Sequence, residues 1–168
     1  MRRLLVLPLL ASTLLLAGCI IVPGGGGDGD RTDGSRTDDD RIDIPTPSCD
    51  VPALLNTPNT HYDLGNCDEV TVEGQGITVE ASDIGTLTIR GDDIEVDAAS
   101  IGVIAIGGQE NSISATAIGT LEINGDRNDV EADGDIGVIT IGGNDNEVSG
   151  GTIGSSTVQG DRNLVGTD

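Results

Sequence analysis

The chain contains no phenylalanine, no tryptophan and no lysine, and only one tyrosine, one histidine and one methionine. Large aromatic side chains dominate the burial of ordinary globular cores. Their absence points away from a broad core and toward a narrow tube filled by aliphatic side chains. With His61 as the lone histidine and no lysine, no Ser/His/Asp set or similar acid–base constellation is laid out along the chain. All eight basic residues are arginine, and the formal net charge is −21. That balance excludes nucleic acid as a partner and disfavours docking onto anionic headgroups. It suits a soluble, self-repelling surface, association with divalent cations, or a salty habitat. Between residues 67 and 168 no run has the 3.6-residue apolar period of a helix.

What is present instead is a repeat. An Ile-Gly pair returns at Ile84, Ile101, Ile118, Ile136 and Ile153, in steps of 17, 17, 18 and 17 residues. The copies run roughly I-G-x-L-x-I-x-G-D-x-N-x-V-x-A, as in IGTLEINGDRNDV and IGVITIGGNDNEV, with Ile94 in place of the Asn in the copy at Ile84. One step back from Ile84 lies Cys67, where CDEVTVEGQGITV fits the same frame. Six coils result: 67–83, 84–100, 101–117, 118–135, 136–152 and 153–168. A short fixed period marks one supersecondary unit stacked on itself.

Two stretches per coil alternate apolar and polar and are rich in Val, Ile and Thr, which is the strand signal. Strand, corner, strand, corner at this spacing predicts an all-β parallel β-solenoid. At about 4.8 Å per coil, six coils make a rod roughly 30 Å long. The expected core is the stack Ile84/Ile101/Ile118/Ile136/Ile153 with Leu87/Ile104/Leu121/Ile139 and Ile89/Ile106/Ile123/Ile141/Val158. Small residues at Ala81, Ala98, Ala115, Ala132 and Gly150 let the walls approach. Gly74, Gly91, Gly108, Gly125, Gly143 and Gly160 form a column assigned to the positive φ of a sharp corner.

Asn111, Asn128, Asn146 and Asn163 form a further column. They read as an asparagine ladder, each amide bonding to the coils above and below, rather than as a ligand site. A charged column runs Asp93, Glu110, Arg127, Asp145, Arg162. Like charges stacked at strand spacing repel, so the two arginines are expected to relieve Asp145 between them.

The N-terminus reads as an address. Arg2 and Arg3 precede an apolar stretch, Leu4 to Leu16, too short for a spanning helix. Leu16-Ala17-Gly18-Cys19 resembles the lipobox of bacterial lipoproteins. The resemblance implies a signal peptide at 1–18, removal of which moves the net charge from −21 to −23. It also implies a lipid on Cys19, which anchors the exported chain to a bacterial membrane, facing the periplasm or the exterior. Residues 19–47, Gly- and Asp-rich with little apolar content, are expected to be a disordered linker.

Cys49 and Cys67 remain, and in an exported protein they are expected to form a disulfide. The bridge would clamp a cap, residues 48–66, over the top of the first coil, with Leu54, Leu55, Tyr62 and Leu64 as plug residues. The rival reading is a metal-binding pair with His61, for which the chain supplies no third and fourth soft ligand. At the other end Ser156 replaces the Leu/Ile of its column, and the polar last coil discourages edge pairing.

Lipobox, linker, cysteine-bounded cap and G-x-x-N-x-V coils together resemble a bacterial family of exported repeat proteins classed as a domain of unknown function. Its members are found largely among exported proteins and lipoproteins of actinobacteria and other bacteria. The matching stretch is about 66–168, carried by VTVEG, GDRNDV, GGNDNEV and GDRNLV. The resemblance implies no activity and no catalytic residue.

Among functions, a polysaccharide-active β-helix enzyme would need longer and more numerous coils with clustered catalytic groups. A calcium-binding module has weak candidates in Asp92, Asp126, Asp145 and Asp161, and GGNDN at 142–146 resembles a fragment of calcium-binding nonapeptide repeats. Those repeats recur every nine residues, whereas this one recurs every 17. A flat Thr array is hinted at by Thr86/Thr88 and Ser155/Thr157 but is interrupted by Val103/Ala105 and Glu122. The sequence favours a non-enzymatic structural or interaction module at the cell envelope, with no cofactor and an envelope protein or glycan as the partner.

Overall fold

The computed structural model describes Cys49 and residues 51–167. The signal peptide, the Cys19 lipidation site and the linker lie outside the described residues. Nine strands form one sheet: β1 (Ala53–Leu55), β2 (His61–Leu64), β3 (Cys67–Val72), β4 (Thr78–Ile89), β5 (Glu95–Ile106), β6 (Ser112–Ile123), β7 (Asp129–Ile141), β8 (Glu147–Val158) and β9 (Leu164–Thr167). Every pairing is parallel. Among the described residues there is no helix. The architecture is a parallel β-solenoid of about seven turns.

The register is the repeat made physical. Ile84 pairs with Ile101, Ile101 with Ile118, Ile118 with Ile136 and Ile136 with Ile153. Each long strand bends midway. Burial falls on alternate residues at Val96 and Ala98, then shifts to Ile101, Ile104 and Ile106, so the side-chain alternation breaks where the chain turns a corner. The fourth coil carries 18 residues, and its extra residue appears as a register shift between Ala132 and Asp135. The aliphatic columns are closed to solvent from Val70 through Ile141, but Val158, expected in the core, is 44% exposed because only the short β9 follows it. The largest side chain in the core is Tyr62.

Three features differ from the sequence expectation. The segment expected as a cap is itself a coil. β1 pairs with β3 as Ala53↔Val70 and Leu55↔Val72, and β2 pairs with β4 as His61↔Thr78 and Leu64↔Ala81, in the same 17-residue frame. It closes the tube with larger side chains: Tyr62 stacks in the column of Val79, and Leu64 in that of Ala81. Leu55, Tyr62 and Leu64 are buried, but Leu54 is 54% exposed, because it alternates outward between Ala53 and Leu55.

The second difference concerns the corner. The glycine column does not carry the positive φ, except at Gly160. Left-handed backbone falls two residues on, at Asn59, Gly76, Asp93, Glu110, Arg127, Asp145 and Arg162, with φ between 53° and 65°. The glycines serve close approach instead. A Cβ on Gly108 would be driven into the carbonyl of Gly91, and one on Gly125 into that of Gly108. The glycine of each Ile-Gly pair does the same at the opposite corner, where a Cβ on Gly102 would lie 2.6 Å from the Gly85 oxygen. Two glycine ladders therefore let successive corners nest at strand spacing.

The third difference is ionic. Arg127 relieves Asp145 through its charge alone and does not bridge to it. Its Nε donates to Glu110 Oε1 at 2.8 Å and its Nη2 to Gln109 Oε1 at 2.8 Å, both one coil back. Arg162 alone bonds Asp145.

Candidate functional site

The polar columns beside the core are where a site could lie, and the corner geometry dictates what they do. At a corner the backbone turns away from the neighbouring coil, so some amide protons lose their ladder acceptor. The asparagine column supplies it. Asn111 Oδ1 accepts from the backbone N–H of Ile94 at 3.0 Å. Asn128 Oδ1 accepts from the N–H and Nδ2 of Asn111 at 3.1 and 2.9 Å. Asn146 Oδ1 accepts from the same two groups of Asn128 at 2.9 and 3.1 Å, and Asn163 Oδ1 from those of Asn146 at 3.0 and 3.1 Å. In three of the four, an amide proton also reaches a glycine carbonyl: Asn128 to Gly108 at 3.1 Å, Asn146 to Gly125 at 3.0 Å, Asn163 to Gly143 at 2.7 Å. Asn111, Asn128 and Asn146 are buried, and among the described residues no buried side-chain polar atom lacks a partner.

A second, more exposed ladder runs alongside. Asp92 Oδ1 accepts from Gln109 N–H at 2.8 Å, Asp126 Oδ1 from Asn144 N–H at 2.7 Å, and Asn144 Oδ1 from Asp161 N–H at 2.9 Å. This ladder contains three of the four calcium candidates. Asp92 and Asp126 are separated by Gln109, and Asp126 and Asp161 by Asn144. Residues two coils apart are about 9.6 Å distant along the axis, beyond a shared Ca²⁺ whose oxygens lie at roughly 2.3–2.6 Å. The fourth candidate, Asp145, sits in the left-handed column, where Arg162 bonds it. That hydrogen bond, outweighing desolvation, together with the charge of Arg162 and of Arg127, holds the Asp145 carboxyl below the usual carboxylate range and raises Arg162 in turn. Among the described residues the acidic, cysteine and histidine side chains form no group of three suited to a metal ion.

Cys49 and Cys67 are bonded, with Cα atoms 4.9 Å apart. Cys67 is buried at the foot of the isoleucine column, and Cys49 packs partly buried against the same core. His61 is exposed and lies 4.0 Å from Glu80 on the next coil, remote in role from the cysteine pair.

Charge is sorted by face. The outward residues of the strand halves around 78–81 include Glu80, Glu95, Asp97, Asp129, Glu131 and Glu147, all exposed. No arginine stands among them; Arg90, Arg127 and Arg162 lie at the corner and pair with Glu73, Glu110 and Asp145. The outward residues of the other strand halves carry Asp68 and Glu69 on β3 but are nearly free of charge from β4 to β8. There Thr86, Val103, Thr120, Val138 and Ser155 stack in one column, and Thr88, Ala105, Glu122, Thr140 and Thr157 in the next. This sorting escapes a composition average and needs the register to be seen. Comparison of the chain with protein-family models, with curated proteins and with solved structures finds no match in any of the three.

Proposed function

We propose that the chain is a lipid-anchored bacterial envelope protein whose solenoid is a non-enzymatic interaction module. The observation that supports this most is how the polar side chains are spent. The asparagine column and the Asp92 and Asp126 carboxylates bond to neighbouring coils, so the residues that would look like a site are committed to stacking. What is left for a partner is the outer surface, regular along the axis and sorted by charge. Two grooves at the corners, one along Asp93, Glu95 and Glu110 and the other along Asp68, Asp83 and Ser100, are open. They suit contact with an extended surface better than enclosure of a small substrate.

Anchoring rests on Leu16-Ala17-Gly18-Cys19. Two or three acyl chains on that cysteine hold a protein firmly, since each buried methylene adds about 0.8 kcal/mol. The test is metabolic labelling with a radioactive fatty acid in a bacterial host, followed by fractionation. Label in the wild-type chain, recovered with membranes, and its loss in Cys19→Ser support the anchor. Unlabelled wild type in the soluble fraction contradicts it. Capture of envelope fractions on the protein then asks for the partner, with retention of none contradicting the interaction role.

A further inference from the structure

We infer that the uncharged Thr/Val face is a docking surface for the same face of a second copy of this chain. The inference deepens the interaction reading above and rests on it, but not on the lipid anchor.

The first argument is charge. At −21 overall, two copies repel wherever acidic surfaces meet. On the strand halves around 78–81 each approach would set carboxylates such as Glu95 and Asp97 against carboxylates. On the Thr/Val face, the five coils from β4 to β8 present one charged side chain, Glu122, and its carboxylate leans along its own strand to accept from Asn124 Nδ2 at 2.8 Å; the other carboxylate in these columns, Glu69 on β3, lies outside those five coils. From β4 to β8 this is therefore the face on which like charge opposes contact least.

The second argument is shape. Apart from Glu122, the face is built from small and β-branched residues, so it is nearly flat. Val103 and Val138 are 42% and 44% exposed, alternating along the column with Thr86 and Thr120. Flat sheet faces stack at about 10 Å, with side chains interdigitating.

The third argument selects the orientation. A twofold that reversed coil order would bring Glu122 against Glu122, which is unfavourable. A twofold along the solenoid axis keeps coils matched and sets each column against the other. Val103 then meets Ala105 of the partner subunit, and Glu122 meets the partner's Thr120, whose hydroxyl can donate to the carboxylate. Five coils of about 4.8 Å and six residues of about 3.3 Å give a face of about 24 by 20 Å. Two such faces bury on the order of 1,000 Å² together, at the lower end for specific association, so the dimer is weak and concentration-dependent.

The test is sedimentation of the full chain over a range of concentrations, comparing wild type with Val103→Glu and Ser112→Glu. Both substitutions add one negative charge to the same coil, at exposed strand positions on different faces. Circular dichroism and thermal melting confirm that each variant folds. The expected result is a reversible wild-type dimer that tightens as salt rises, a weakening of about tenfold or more in Val103→Glu, and little change in Ser112→Glu. Glu122→Thr is expected to tighten it. A wild type that stays monomeric throughout overturns the inference, as does equal weakening by the two added charges. Failure of Cys19 acylation would leave all of these results in place.

Discussion

Asn146 Oδ1 accepts two hydrogen bonds from Asn128 of the preceding coil, one from its backbone N–H at 2.9 Å and one from its Nδ2 at 3.1 Å. The same double bond links Asn111 to Asn128 and Asn146 to Asn163. An amide in this column thus serves as a strand residue does, passing a ladder bond around a corner where the backbone alone cannot.

Removing one amide from the middle of the ladder leaves buried groups unpaired on both sides. Asn128→Ala strips the acceptor from the Asn111 N–H and Nδ2 and the donor from the Gly108 carbonyl. Each unsatisfied buried group costs about 1–3 kcal/mol, so the expected loss is about 3 kcal/mol or more. The exposed Asn124, whose amide bonds only the Glu122 side chain, is expected to lose less than about 0.5 kcal/mol on change to Ala. Urea unfolding of the two variants checks the contrast.

Neighbouring glycines are predicted to behave oppositely. A Cβ at Gly108 meets the Gly91 backbone with no room to yield, whereas a Cβ at Gly107 finds only the Ile89 oxygen, at 3.7 Å. Gly108→Ala is expected to cost about 3 kcal/mol or to prevent folding, at or beyond the usual range for overpacking. Gly107→Ala, without positive φ, is expected to be neutral or to stabilise by up to about 1 kcal/mol. Thermal melts of the pair decide it.

At Glu110 the backbone is left-handed, with φ 58°. Glycine is at ease there and a β-branched residue is not. Glu110→Gly and Glu110→Val both lose the exposed pair with Arg127. Any difference between them therefore reports the backbone, and Glu110→Val is expected to be less stable than Glu110→Gly by about 1–2 kcal/mol. Equal stabilities would contradict the left-handed assignment.

Asp145 sets a pH dependence. Its folded pKa lies below the unfolded value of 3.8, because Arg162 bonds the carboxylate. Stability from this pair is therefore present above the unfolded pKa and lost as pH falls through the folded one. The stability gap between wild type and Asp145→Asn is expected to be constant above about pH 5 and to close below about pH 4. Arg162 is exposed and Asp145 only half-buried, so the gap is small and shrinks in salt. Melting temperatures from pH 6 to 3 give the profile.

Reduction of the Cys49–Cys67 bond is expected to cost about 3 kcal/mol for a loop of this size. In a solenoid each coil contacts only its neighbours. Faster amide exchange is therefore expected in β1, β2 and β3, with little change in β6 to β8.

Much of this architecture is legible in the sequence because aliphatic columns repeat the same residue types: Ile84 to Ile153 can be aligned by eye, and so can Asn111 to Asn163. The first coil was hidden because almost none of its residues match. Thr57, Pro58 and Tyr62 stand where later coils carry Gly, Gln or Asp, and Val, and only the spacing of His61 from Thr78 survives. The left-handed corner invites assignment to the glycines because every coil from Gly74 onward has one beside it. The true column holds Asn59, Gly76 and Asp93 in its first three coils, residue types that tolerate positive φ, and that shared tolerance was the available signal. The ion pairing of Arg127 depends on side-chain reach within a coil stack, which spacing alone does not encode.

The central claim is that the buried polar column is spent on coil-to-coil bonding. Hydrogen exchange of the backbone amides of Ile94, Asn111, Asn128 and Asn146 tests it most directly, since each donates to a side-chain oxygen of the next coil. Protection of all four at the level of neighbouring strand amides such as Ile113 and Val130 is the predicted result. Rapid exchange at these four, with the strands protected, would contradict it.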